Sequence, residues 1–369
     1  MKNIITRTRM LSAFAGLFTI FLLFSCQKAA NTETAPLELD EVPDYDNMIY
    51  ESIEYTSASA ELSRAREKMT VTSVGDSAFF IGGSSIDGSY VKFDDVDIYN
   101  GKTFKWSVSR ARTNEFVNET TIGKWVFSPG PVPYVTITDL QTASQQSLTL
   151  SSRRSSPVVA KSGNLVVFGG GLSFETPVSD SNRVVDIYDL NLKKIIKTTK
   201  VPDVVKLKSG VGVNGKIYFQ CNVQKFDGAK FIEVYDLKTD TWEQIPAPDF
   251  LGKIYYSLGR LIFQPVNDGT KILIYDISKK TWESAEIPAP RPGYGFVITG
   301  NLIFLPGGGV SQMSAQNRLD VYDMLTGKWT VKQLSSNKYG VVGARAGNLM
   351  LFADGSSKRV DFFKLIPKK

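Results

Sequence analysis

The sequence predicts an all-β protein in which one four-stranded antiparallel unit is written seven times. Two recurring phrases carry that expectation. The ten letters LIYDISKKTW at 273–282 have near-copies in EVYDLKTDTW at 233–242 and DVYDMLTGKW at 320–329. A second phrase, a glycine, a polar residue and then alternating apolar residues, occurs as GDSAFFIGG (75–83), GKWVF (123–127), GNLVVFGGG (163–171), GKIYF (215–219), GRLIF (259–263), GNLIFLPGGG (300–309) and GNLMLF (347–352). Catalytic residues converge on one point and are normally written once. A phrase written many times is the building unit of a repeating fold.

Each unit reads in order. The lead glycines Gly75, Gly123, Gly163, Gly215, Gly259, Gly300 and Gly347 are spaced 48, 40, 52, 44, 41 and 47 residues apart. The glycine marks a tight turn between two short strands, and a loop of variable length follows. The Tyr–Asp phrase supplies a third strand, a polar turn comes next, and the tryptophan sits on a fourth. Four short strands per unit are the meander of a propeller blade. A flat aromatic on the third and fourth strands would bury on the order of 150–250 Å² against the neighbouring blade. The aspartate after the tyrosine is placed to accept backbone N–H bonds of the turn.

Gly–Gly after the second strand, then V-x-[IV]-Y-D, then Trp seven residues beyond the Tyr, resembles the kelch repeat over roughly residues 50–366. The pattern is complete at Tyr99/Trp106, Tyr235/Trp242, Tyr275/Trp282 and Tyr322/Trp329. VVDIYDLNLKKI places Ile195 where Trp is expected, and the unit around YVTITDLQTASQ is degenerate. The resemblance implies a kelch-type β-propeller of seven blades, with six as the alternative if the weak unit is absorbed elsewhere. The seventh unit, GNLMLFADGSSKRVDFFKL, has Phe363 in the tyrosine position and ends before a fourth strand. An N-terminal segment, SIEYTSASAE at 52–61, is expected to fill that vacancy as the outermost strand of blade 7, with Ser57 in the tryptophan register.

Ahead of the repeats, MKNIITRTRMLSAFAGLFTIFLLFSC runs from a basic start through apolar residues Met10 to Phe24 to Cys26. This is the pattern of a secretory signal, too short for a typical membrane span. The tetrapeptide LFSC resembles a bacterial lipobox, which implies removal of residues 1–25 and acylation of Cys26; ordinary cleavage near Ala29 or Ala30 is the alternative. By resemblance to Gram-negative lipoprotein sorting, Gln27 implies the outer membrane, with the domain facing either the periplasm or the outside. Residues 26–47 are polar and acidic without periodicity, a flexible tether. Residues 48–369 are the propeller. The other cysteine, Cys221, lies in a strand pattern and is expected as a small buried apolar residue with no disulfide.

Composition limits the chemistry. The formal charge is +6, and loss of Lys2, Arg7 and Arg9 with the signal brings it to +3. With no clustered basic run, nucleic acid is not an expected partner. The chain has no histidine, which removes Ser–His–Asp and Cys–His catalysis and nearly all catalytic zinc sites. No cofactor or metal is expected, and a monomer is.

One register bears on function. Nine residues before the lead glycine stand Arg66, Arg154, Lys206, Arg291 and Lys338, and Arg112 is offset by two in an irregular unit. In a four-stranded meander these positions share one face with the loops 84–94, 171–183, 221–231 and 308–318, which carry Tyr90, Phe93, Phe174, Phe226, Arg183 and Arg318. The six basic residues are candidates for a cationic ring around the channel mouth, suited to an anionic ligand. The alternative is scaffolding, each cation bonding to carbonyls or to a neighbouring aspartate.

Two function classes follow. The first is a lipid-anchored module binding a glycan or a protein partner through its loop face, with no catalytic residues. The second is an enzyme. Among kelch-like propellers the galactose-oxidase type needs histidine copper ligands and is excluded, whereas the sialic-acid mutarotase type is compatible, with Asp87, Asp94, Glu175 and Asp180 as candidate carboxylates. A structural role within an envelope assembly is a third reading.

Overall fold

The computed structural model describes residues 44–369 apart from 46, 88, 90, 111–119, 130–131, 174–182, 203–204, 224–230, 249–250, 266–269, 310–311 and 356. They form seven four-stranded antiparallel sheets. Blade 1 comprises strands Thr70–Val74, Ser77–Ile81, Asp95–Asn100 and Lys105–Arg110, paired in chain order. Blades 2 to 6 repeat that order. Among the described residues the only helix is one 3₁₀ turn, Gln312–Ser314.

The innermost strand of each blade touches the innermost strand of the next, and Val342–Ala346 of blade 7 touches Thr70–Val74 of blade 1. The sheets therefore form a closed ring of seven, not six. Closure occurs as expected: Tyr50–Glu61 pairs antiparallel with Arg359–Pro367 as the fourth strand of blade 7. The register differs from expectation. Tyr55, not Ser57, pairs with Phe363, and their rings meet edge to face at 5.2 Å between centroids. Irregularities on either side of Ser57 lengthen the path to Arg66, so counting back nine from Arg66 falls short by two. The tryptophan position of blade 7 is thus also aromatic.

The repeated letters do what strand geometry requires. All seven lead glycines have φ between 52° and 81°, the left-handed region that a hairpin turn demands and glycine adopts without strain. The aspartate after the tyrosine caps the turn between the third and fourth strands: Asp236 accepts N–H bonds from Lys238 and Thr239 at 2.9 and 3.0 Å, and Asp276 does so from Ser278 and Lys279. The rings of Tyr235 and Trp242 lie tilted with centroids 4.7 Å apart, and three further Tyr–Trp pairs lie at 5.0–5.1 Å. Each pair faces the preceding blade; Tyr99 of blade 1 meets Phe362 of blade 7 at 5.0 Å. The core is therefore a series of inter-blade clusters.

Candidate functional site

The strand directions collect all connections of one kind at one end of the ring, the rim. In blade 1, Thr70 pairs with Ile81, Ile81 with Val96, and Asp95 with Arg110. The crossover into the innermost strand and the loop between second and third strands thus share that rim. The opposite end carries short turns.

Four of the six basic candidates lie beneath the rim, one per blade, with their charges spent. Arg66 is fully buried and meets Asp97 at 2.7 Å and the Phe80 carbonyl at 3.0 Å. Arg154 repeats this with Asp186 at 2.8 Å and Phe168 O at 3.0 Å. Arg291 does so with Asp320 at 2.6 Å and Leu305 O at 2.7 Å. Lys338 lies 3.5 Å from Asp361 and 3.7 Å from Asp354. Each cation meets an acid two residues before the tyrosine position; for the three arginines the carbonyl lies five residues after the lead glycine, whereas Lys338 donates to Arg359 O at 3.2 Å. Where a serine stands three residues before the cation its backbone N–H completes the acid's bonds: Ser63 to Asp97, Ser151 to Asp186, Ser335 to Asp361. In blade 6 that residue is Pro288, which has no N–H, and Arg318 supplies bonds to Asp320 at 2.7–2.9 Å instead.

These pairs clip each incoming crossover onto the third strand of its own blade. As placed, the four cations present no charged atom to a ligand, which is the scaffolding arrangement. Lys206 differs: it is exposed at the rim. Arg112 lies outside the described residues. Arg183 donates to the carbonyls of Val201 and Pro202 at 2.8 and 2.7 Å, a scaffolding role.

The rim surface itself is mixed. Arg64 lies over the Phe93 ring, 4.4 Å from its centroid, and pairs with Asp95 at 2.7 Å while staying half exposed. Four apolar side chains on loops between second and third strands face solvent: Ile86, Val91, Leu172 and Met313, exposed to 46, 54, 54 and 97%. Asp87 is exposed and accepts bonds from the Ser89 hydroxyl and N–H, chiefly the hydroxyl, which holds its carboxyl down to about 2. Such a group stays ionised at neutral pH and is poorly suited to a general acid. Asp94 is exposed, and Glu175, Asp180, Tyr90, Phe174 and Phe226 lie outside the described residues. Among the described residues no group of three or more His, Cys, Asp or Glu is placed to hold a metal.

In the crossover into blade 5, Lys253 sits over the Tyr255 ring at 5.3 Å from its centroid, and desolvation lowers its pKa from the ordinary lysine value. Sequence reasoning had no signal for it, because Lys253 matches no repeated position.

Seven four-stranded blades make this a β-propeller, and its Gly–Gly turns, capped Tyr–Asp strands and Tyr–Trp wedge are similar to those of the kelch repeat. A putative F-box/kelch-repeat protein of Arabidopsis thaliana is 28% identical over 113 residues, which take in 29% of this chain and 28% of that protein. The chain thus spans less than a third of that relative's length. No family profile matches the chain.

Proposed function

We propose that the protein is a non-catalytic recognition module, lipid-anchored at the outer membrane through Cys26, whose rim engages a protein partner. The observation that supports this best is the set of exposed apolar side chains on rim loops of blades 1, 3 and 6, Ile86, Val91, Leu172 and Met313. Apolar groups held in water on a rigid scaffold lose surface to solvent only when a partner covers them. The opposite end also exposes Phe104, Leu192 and Leu325, but on short turns with little reach. The kelch repeat of the Arabidopsis relative agrees with an interaction module. A glycan is the second reading, favoured by the exposed cations Arg64 and Lys206, which suit an anionic sugar.

The test is a pulldown from envelope fractions and a glycan array, each run with the Cys26→Ser chain and with Leu172→Asp/Met313→Asp in the same background. A partner retained by the first and lost by the second supports the protein reading. A partner held equally by both refutes the rim as its site, and sugar binding lost in Lys206→Ala transfers the case to the glycan. Palmitate labelling tests the anchor separately: label is expected on the wild type and absent from Cys26→Ser.

A further inference from the structure

Six of the seven inter-blade wedges are closed by an aromatic in the tyrosine position: Tyr99, Tyr188, Tyr235, Tyr275, Tyr322 and Phe363. Blade 2 departs from the rule. Thr138 pairs with Gln145 in the register where tyrosine pairs with tryptophan elsewhere, and Gln145 Nε2 donates to Thr138 Oγ1 at 3.2 Å. Neither side chain has the area of the ring it replaces. The result is a cleft of about 340 Å³ between blades 1 and 2.

The wall that faces this gap is built like its counterparts. Phe79, Val96 and Ile98 of blade 1 line it. They occupy the positions of Tyr218, Ile232 and Val234 in blade 4, which pack against Tyr275 and Trp282 of blade 5. The wall that an indole packs against in blade 5 is therefore retained here, where Leu140 covers part of it in place of the chain's own indole. The position of the acceptor used in blade 5 is retained too. In blade 5, Trp282 Nε1 donates to Pro246 O at 3.0 Å. Pro246 pairs with Phe231, four residues before Tyr235, as Arg110 pairs with Asp95, four before Tyr99. Arg110 lines the cleft and holds in blade 1 the register that Pro246 holds in blade 4.

We propose that this cleft binds the tryptophan side chain of a partner polypeptide. Its volume lies at the low end for ligand sites and suits a single side chain. It opens beside the outermost strands Lys105–Arg110 and Gln145–Thr149, the sheet edges along which a peptide main chain can lie. The site is in the blade wall and does not rest on the rim reading.

The probes are 5-fluoroindole and the peptide Gly-Gly-Trp-Gly-Gly carrying 5-fluorotryptophan, followed by fluorine NMR line broadening with the full chain. Both are expected to broaden and to compete with one another. Gln145→Trp supplies the missing ring from within and should weaken both at least about tenfold while raising the melting temperature. Ser109→Tyr obstructs the cleft from the exposed strand of blade 1 and should weaken binding even where Gln145→Trp folds poorly. Leu172→Asp/Met313→Asp should leave the signals unchanged, which separates this site from the rim. No broadening with the wild type, broadening that survives both obstructing variants, or broadening of the indole without the peptide overturns the proposal.

Discussion

Arg154 and Asp186 meet at 2.8 Å with both side chains fully buried. Deleting one partner of such a pair leaves an uncompensated charge, at a cost of about 3–5 kcal/mol. Arg154→Ala is therefore expected to lose that much stability in urea unfolding. In sequence, the two matching positions of blade 5 are apolar, Phe250 and Leu273. Arg154→Leu/Asp186→Leu should accordingly recover more than half of the single-variant loss, with the double-mutant cycle reporting a strong coupling.

Asn301 secures the closing strand. Its Oδ1 accepts the Tyr50 N–H at 2.7 Å and its Nδ2 donates to Tyr50 O at 3.0 Å, across 251 residues of sequence. Asn301→Ala removes both bonds and should cost about 1–3 kcal/mol for each backbone group left buried without a partner. Hydrogen exchange should rise first along Tyr50–Glu61 and Arg359–Pro367, while blades 3 and 4 keep their protection.

Asp276 gives an acid-limb prediction. The Lys279 N–H and then the Ser278 hydroxyl hold its carboxyl down from 3.8 to about 2. A folded-state value below the unfolded one means stabilisation that is complete above about 4 and lost as pH falls towards 2. Asp276→Asn should flatten the fall in melting temperature over that window and leave the slope between pH 5 and 8 unchanged.

Cys221 is 7% exposed, and burial pushes its thiol up to about 12. The reactive species is the thiolate. In a Cys26→Ser background, a thiol reagent at pH 8 should therefore label the protein only at the rate of unfolding, and denaturant should release one full equivalent at once.

Much of the architecture was legible because the repeated letters are local: glycine for a hairpin, aspartate for a cap, aromatics for a wedge. The closing strand could be placed but not registered, since irregularities around Ser57 shift the count by two and let Tyr55 reach Phe363. The basic register was visible in the sequence without its meaning. The missing signal was the acid two residues before the tyrosine: Asp97, Asp186, Glu233, Asp320 and Asp361 occur in the blades with a basic residue in register, and Leu273 and Thr136 in the two without one. The cleft was half legible. The unit around Thr138 read as degenerate, but only the ring shows that Phe79, Val96 and Ile98 keep their places opposite it.

The pairing of Tyr50 with Pro367 also orders events at the ribosome. The strand synthesised first among the blades must stay without its partner until Arg359–Pro367 has emerged, and blade 7 is meanwhile a bare edge able to recruit any extended segment. Molecules interrupted late in synthesis should hence be the sticky ones, captured by chaperones or by each other, whereas full-length chains seal the seam with their own leading strand.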